Sequence, residues 1–535
     1  MSKRKPQRAR PTKGTPPAGK NAVGPVSKRA AEPAGLRVAR NLYQCGRYDE
    51  ALRKFDELVR QSPNDIRLLI DAARAHAGRH HHSRCHALLE RALRLAPRRH
   101  DIQFLVGESY RMLGAASEAE RCFRKACLLA EGFVPAQVEL ANLCERRHLL
   151  DEAQNLVSRV LRSQPQFPPA LVLFGRIARR LGKVDSAESA LRQCLAHNCP
   201  PATAAEAWGE LILLYDEQAQ YDQAWDAARQ CKRLLLPSAD AAWHAAQFVQ
   251  QRFARFYDEL RPSHLQRWLH NATNQTDQVT LLAGFPRSGT TLLEQVIASH
   301  PDVLACEEQD VLSADVFPKL GRDRPPDYPV ELLLDELPSD RVTEMQTYYL
   351  QEMASRQRTE RGARMLFDKN PALLPMVPVL WRLFPSARVL VAVRDPRDVI
   401  VSCFLRYLPV TPVSVHFLDM TWLADKYVHD LRCWLKLREI SPATLWDEVR
   451  YEELVADFPA VTRRAIERLG LAWDPSILDY RQQLSSRRPV HSPTYDAVAK
   501  PVHRGAIGRW RNYSQQIGPV LEKLMPLVES FGYSC

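Results

Sequence analysis

The segment Gln278-Val-Thr-Leu-Leu-Ala-Gly-Phe-Pro-Arg-Ser-Gly-Thr-Thr-Leu-Leu-Glu294 decides the fold of the second half of this chain. Its apolar run predicts a buried strand, and the glycine-containing loop that follows predicts the opening of a helix. Such a loop turns successive backbone N–H groups into one concavity, and the positive end of the helix dipole adds to the attraction for an anion. Gly284 and Gly289 flank four residues and precede Thr290-Thr291, which matches the spacing of the nucleotide-triphosphatase loop G-x-x-x-x-G-K-[ST] with Thr290 where the lysine stands. That lysine reaches the β- and γ-phosphates where a terminal phosphoryl group is transferred. Its absence predicts an anionic ligand shorter than a triphosphate. A turn kept only for packing is the plainer alternative.

A second element lies about 100 residues on, in Ala387-Arg-Val-Leu-Val-Ala-Val-Arg-Asp-Pro-Arg-Asp-Val-Ile-Val-Ser-Cys-Phe-Leu-Arg406. Residues 389–393 are all apolar, as in a strand buried on both faces of a parallel sheet. Arg394 follows at the carboxyl end, where ligands bind in open α/β sheets. Ser402 and Arg406, eight and twelve residues later, are predicted to share one side of the ensuing helix with it. Two guanidinium forks and a hydroxyl make a second phosphate site.

Together the two segments resemble the 5′-phosphosulfate loop and the 3′-phosphate site of sulfotransferases that use 3′-phosphoadenosine 5′-phosphosulfate (PAPS), most closely tyrosylprotein sulfotransferases. The likeness runs over about residues 278–512 through ordered blocks: Arg287-Ser-Gly-Thr-Thr291, His300-Pro-Asp-Val303 with Glu307-Glu308, Asp368-Lys-Asn-Pro371, Arg394-Asp-Pro-Arg397 with Ser402, Tyr451-Glu-Glu-Leu-Val455, and Lys500-Pro-Val502 leading to Arg509-Trp510. It implies an α/β P-loop-like domain with a parallel sheet and PAPS as co-substrate. The backbone of Arg287, Ser288, Gly289, Thr290 and Thr291, with the three hydroxyls, would hold the 5′-phosphosulfate. Arg394 and Ser402 would hold the 3′-phosphate, and Arg406 also belongs with the donor. Tyr451 would lie near the adenine, a core aromatic being its alternative. The loop Thr494–His503, including Lys500, would close over the nucleotide with Arg509. Glu308 matches the family's catalytic glutamate, with Glu307 as competitor. Adjacent side chains of an extended strand point oppositely, so one of the two faces the acceptor. Lys369 corresponds to the lysine that stabilises the bridging oxygen, its alternative being a surface salt bridge with Asp368. Thr494 stands where the family has an assisting serine. No metal is implied, since arginine and lysine supply the positive charge.

At 535 residues the chain should divide into two or more domains, and its 45% apolar and 25% charged residues are those of a soluble globular protein. The net charge of +12 is concentrated in residues 1–34, where nine Lys/Arg face only Glu32. This Pro-, Gly- and Ala-rich stretch reads as a disordered basic tail rather than a specific nucleic-acid module. No apolar run long enough to span a membrane occurs, nor a signal-peptide core, which predicts a cytoplasmic protein. The twelve cysteines include no C-x-x-C and suit a reduced, packed state. The tyrosylprotein family is membrane-anchored and lumenal, so a secretory-pathway substrate does not follow from the likeness.

The first half is periodic. Ala51, Cys85, Ala119, Ala153 and Ala187 recur every 34 residues, and Ala224 follows after 37. That period identifies the tetratricopeptide helix-turn-helix repeat. A larger apolar residue follows four positions on (Phe55, Leu89, Phe123, Val157, Leu191), and prolines end repeats at Pro63, Pro97 and Pro165. Close helix packing needs the small side chains, and a proline cannot continue the second helix. Six repeats over residues 35–237 predict a solenoid that binds a protein or peptide and takes no part in the transfer itself, with a solubilising or homodimerising role as the alternative. The run Arg79-His80-His81-His82 lacks metal-ligand spacing and reads as an inter-helix turn. Residues 238–274, with Trp243, Phe248, Phe253, Phe256 and Trp268, read as capping helices and linker, and residues 275–535 as the sulfotransferase domain. Residues 312–366 match no block and are expected to shape the pocket for the acceptor hydroxyl. Two rival readings stay open, a P-loop kinase and a repeat scaffold with a degenerate nucleotide domain.

Overall fold

The computed structural model describes residues 34–45, 47–79, 81–196, 199–270, 279–356, 364–484 and 502–534. Most of the basic tail, His80, Thr494 and Lys500 lie outside these. Two compact units divide between Leu68 and Leu69.

The 34-residue rhythm becomes helix pairs. They are α1 (Ala34–Gln44) with α2 (Tyr48–Gln61), α3 (Ile66–Ala77) with α4 (His82–Leu95), α5 (His100–Met112) with α6 (Ala116–Leu129), α7 (Val134–Arg146) with α8 (Leu150–Ser163), α9 (Pro168–Arg180) with α10 (Val184–Ala196), and α11 (Pro201–Glu217) with α12 (Tyr221–Leu235). The small anchors Ala51, Cys85, Ala119, Ala153, Ala187 and Ala224 all fall on second helices and are fully buried. The approach within a pair is tight. A Cβ on Gly107 of α5 would stand 2.5 Å from the Phe123 ring of α6, and one on Gly175 of α9 only 2.6 Å from Leu191 of α10. The first unit holds α1 and α2, and α3 runs across the division.

In the second unit, α13 (Asp240–Glu259) and α14 (Pro262–His270) follow the last pair. Phe253, Phe256 and Trp268 are buried, and Trp243 stacks on Trp422 at 4.1 Å. Phe248 departs from the expected capping role and is 45% exposed.

The chain then builds β1 (Val279–Gly284), α15 (Thr290–Ile297), β2 (Val303–Glu307), α16 (Phe317–Leu320), α17 (Val330–Asp335), α18 (Ser339–Arg356), β3 (Met365–Lys369), α19 (Val377–Leu383), β4 (Arg388–Val393), α20 (Pro396–Phe404), α21 (Met420–Ile440), β5 (Trp446–Arg450) and α22 (Tyr451–Ala456). A last helix covers Ser514–Ser530. The five strands form one parallel sheet in the order β2-β3-β1-β4-β5. Alternate residues of the central strands serve two cores. Leu282, Phe367, Leu390 and Ala392 pack with Leu293, Val296 and Ile297 of α15 on one face. Leu281, Ala283, Leu366 and Val391 join the other core, which continues through α13 into the fifth and sixth helix pairs. Among the described residues no helix is long and apolar enough to cross a membrane.

Candidate functional site

The topology itself marks the site. From β1 the chain goes to β2 on one side, and from β4 to β5 on the other, so the crevice beyond the carboxyl ends of β1 and β4 is where an open α/β sheet binds its ligand. A cavity of about 680 Å³ lies there. That volume suits a nucleotide-sized ligand.

The loop after β1 uses two glycines for two different reasons. Gly284 has φ +150°, and a Cβ there would sit 2.7 Å from the carbonyl oxygen of Ala392 on β4. Gly289 caps α15 in the left-handed region at φ +96°, with the Tyr451 ring against it. Between them Arg287 also adopts φ +74°. A non-glycine residue held there costs about 1–3 kcal/mol and tends to mark functional sites. Glu308 is another, at φ +46°.

Gly289, Thr290 and Thr291 line the cavity, while Ser288 is buried and does not. Arg287, Arg394, Arg406 and Arg509 converge on it with Ser402 and Tyr451. Arg287 donates through Nε to Ser402 Oγ at 3.1 Å. Burial, with Arg406, Arg394 and Arg509 nearby, pulls its guanidinium down to about 9. Such crowding of like charge favours an anionic ligand. Arg394 donates to the carbonyls of Arg287, at 3.2 Å, and Ala506, and lies over the Tyr451 ring at 4.8 Å. Arg394 and Arg406 flank α20 rather than riding on it, so their meeting with Ser402 comes from the helix ends and not from a shared face. Asp395 caps α20 and pairs with Arg397, whose guanidinium stacks on Trp510 at 4.2 Å.

Glu308 lines the cavity and Glu307 does not. The side chains do not diverge as an extended strand would require. Lys369 Nζ lies 2.5 Å from Glu308, 3.8 Å from Glu294 and 4.0 Å from Glu307. The left-handed turn at Glu308, whose amide donates to the Lys369 carbonyl at 2.7 Å, takes it out of strand geometry. Lys369 is fully buried behind Glu308 rather than on the cavity wall. Its surface pairing with Asp368 is excluded, because the buried Asp368 carboxylate accepts from the Tyr349 hydroxyl at 2.8 Å. Burial alone would lower the Lys369 ammonium, but Glu294, Glu308 and Glu307 together lift it above its usual value. Burial pushes the Glu294 carboxyl up to about 8 against the pull of Lys369, with Glu307 and Glu308 adding to the rise. Glu294 Oε2 has no hydrogen-bond partner.

Val502, His503 and Arg509 complete one wall. The 3₁₀ turn Arg509–Tyr513 is fixed by Asp398, whose carboxylate accepts from the amides of Gly508 and Trp510, both at 2.8 Å. Two expectations fail here. None of the described residues from 312–366 lines the cavity; Leu213, Asp216 and Glu217 of α11 do, with residues of the 408–417 loop. The last helix pair is therefore part of the cavity wall, because it shares a core with one face of the sheet. Sequence reasoning missed Asp216, Glu294 and Asp398. Asp216 sits on the helix that breaks the 34-residue rhythm, and Glu294 is the one charged residue of α15. Among the described residues no group of three or more His, Cys, Asp or Glu side chains could hold a metal ion.

Residues 280–475 match the sulfotransferase family. The matched stretch carries the β1 loop, Glu308, Lys369, Arg394, Ser402, Arg406 and Tyr451. The chain is 28% identical over 275 residues to protein-tyrosine sulfotransferase 2 of Gallus gallus, covering 47% of this chain and 68% of that one. It is 25% identical over 333 residues to an uncharacterized protein of Aquifex aeolicus, of which it spans 42%. The sulfotransferase domain of the Synechococcus PCC 7002 olefin synthase covers 49% of the chain at 19% identity, with a TM-score of 0.35.

Proposed function

We propose that this protein moves a sulfuryl group from PAPS to an acceptor hydroxyl. The observation that carries the reading is the convergence of Arg287, Arg394, Arg406 and Arg509 on one cavity at the carboxyl ends of β1 and β4, beside a phosphate-type loop with Thr290 in the lysine position. Those charges suit a donor with phosphate groups at two ends. Thr290 argues against a P-loop kinase, and the intact arginine set argues against a degenerate scaffold.

Glu308, on the wall, takes the proton from the acceptor hydroxyl. The oxygen attacks sulfur, the bond from sulfur to the 5′-phosphate oxygen breaks, and adenosine 3′,5′-bisphosphate leaves with the electron pair. Proton uptake by Glu308 weakens its hold on Lys369, so the ammonium becomes available as negative charge grows on the leaving oxygen. Thr494 and Lys500 belong to the same reading by resemblance. The names of the animal relatives favour a protein tyrosine as acceptor, brought by a peptide partner on the repeats. Cytoplasmic residence belongs to this proposal too and is checked by fractionation.

The donor is tested by calorimetry without magnesium. Adenosine 3′,5′-bisphosphate should bind at least tenfold more tightly than AMP, because its extra phosphate makes charge-assisted hydrogen bonds worth roughly 1.5–3 kcal/mol each. Equal affinities overturn the reading. Radiolabelled donor offered to tyrosine peptides, saccharides and small phenols then identifies the acceptor.

A further inference from the structure

Arg406 and Arg509 reach the cavity from segments that the sheet does not hold. Arg406 lies beyond the end of α20, and Arg509 opens a single 3₁₀ turn. The sixth helix pair meets both. Asp216, near the end of α11, forms an ion pair with Arg509 and accepts from the Tyr513 hydroxyl at 2.6 Å. Lys232 of α12, buried, donates to the carbonyl oxygen of Arg406 at 2.7 Å. Trp225 packs on Phe404 at 4.5 Å and on Tyr513 at 5.9 Å. A Cβ on Gly209 of α11 would stand 2.5 Å from Cβ of Tyr407, so the helix rests directly on the residue after Arg406.

Charge makes these contacts more than packing. Arg509 joins a cavity already holding three guanidinium groups, and Asp216 offsets that repulsion and fixes where Arg509 points. We propose that the sixth repeat is a working part of the donor site, with Asp216 positioning Arg509 and Lys232 positioning the Arg406 segment. The inference rests on the donor reading above. It also gives a partner on the repeats a physical route to donor affinity, since a shift of α11 moves Asp216.

The test uses full-length protein and calorimetric titration with adenosine 3′,5′-bisphosphate. Asp216→Asn should weaken binding at least tenfold, and adding Arg509→Ala should weaken it little further, because the two act as one unit. Tyr513→Phe removes a hydroxyl that donates to Asp216 and also bonds Arg509, so it loosens the same unit and should weaken binding two- to fivefold; it keeps the question decidable if Asp216→Asn does not fold. Asp222→Asn, on the same pair but bonded to Gln516, should bind as wild type does. Wild-type affinity in folded Asp216→Asn, or effects of Asp216 and Arg509 that simply add, would overturn the inference while leaving the donor reading intact. Failure of the wild type itself to bind the bisphosphate would sink both.

Discussion

Arg287 and Arg394 are held by the parallel sheet, whereas Arg406 and Arg509 are held by the last pair of a helical repeat. The first two follow central strands whose register, Leu282 opposite Leu390 and Gly284 opposite Ala392, fixes where the loops begin. The second two depend on long-range contacts: Asp216 with Arg509 across almost 300 residues, and Lys232 with the Arg406 carbonyl. Sheet-held groups line the same cavity as Glu308, the base of the proposed reaction. Repeat-held groups lie on segments without ladder hydrogen bonds, so their order comes from another element. The division predicts that the proposed base acts from the sheet alone, while donor grip is shared between sheet and repeat.

The largest effect is expected on the sheet side. Glu308→Gln keeps the size of the side chain but removes the base, so turnover should fall by about 10²–10⁴ with bisphosphate affinity within a few fold of wild type. Stopped assays with labelled donor and calorimetry on the same preparation measure both. Loss of affinity comparable to the loss of rate would break the comparison, because the sheet side would then be gripping the donor through Glu308. Full turnover in Glu308→Gln with none in Glu307→Gln would transfer the role to the neighbouring carboxylate.

What the sequence made legible follows the same line. Valine-rich runs, the spacing of Gly284 and Gly289, and the 34-residue period are local patterns, and local patterns specify strands, loops and helix pairs. The expectation grouped Ser402 with Arg394 and Arg406, and the hydrogen bond from Arg287 to Ser402 comes in addition to it, from a contact between the β1 loop and α20, far apart in sequence. The Asp216–Arg509 pair was not readable, since nothing local distinguishes that aspartate from other charges on a repeat helix. The only local sign was the spacing of 37 before Ala224, where α11 runs to 17 residues against 13 in α9. The crowding of Glu294, Glu307 and Glu308 about Lys369 was also hidden, because it depends on a left-handed turn at Glu308 that strand periodicity does not foresee.

The two scaffolds also bury titratable groups of opposite kind, which yields opposite pH signatures. On the sheet side the Glu294 carboxyl is raised by burial from 4.5 to about 8. A native state that keeps a proton the unfolded chain has lost becomes less stable as pH rises, here between about 4.5 and 8, and the trend levels off above. Glu294→Gln cannot ionise. Its stability relative to wild type should therefore grow across that window by up to about 1.4 kcal/mol per pH unit. Urea denaturation midpoints at pH 5, 6.5 and 8 measure it, and a gap that stays constant or narrows would mean that Lys369 keeps Glu294 charged.

On the repeat side the sign reverses, with a smaller expected effect because the window is narrower. Burial lowers the Lys232 ammonium from 10.5 to about 8, with Cys231 and Cys403 raising it slightly and Arg406 lowering it further. Below about pH 8 the native state carries a buried charge whose desolvation opposes folding. Between about 8 and 10.5 the native lysine has already lost its proton while the unfolded one has not, so stability rises with pH. A neutral amine still donates to the Arg406 carbonyl, so relief of the charge does not break the contact. Lys232→Met removes both the titration and the donor. Its stability relative to wild type should fall as pH goes from 8 to 10, and at fixed pH its bisphosphate affinity should drop because the Arg406 carbonyl loses its tie to α12. A loss of stability without any change in affinity would confine Lys232 to packing and leave the positioning of the arginines to Asp216.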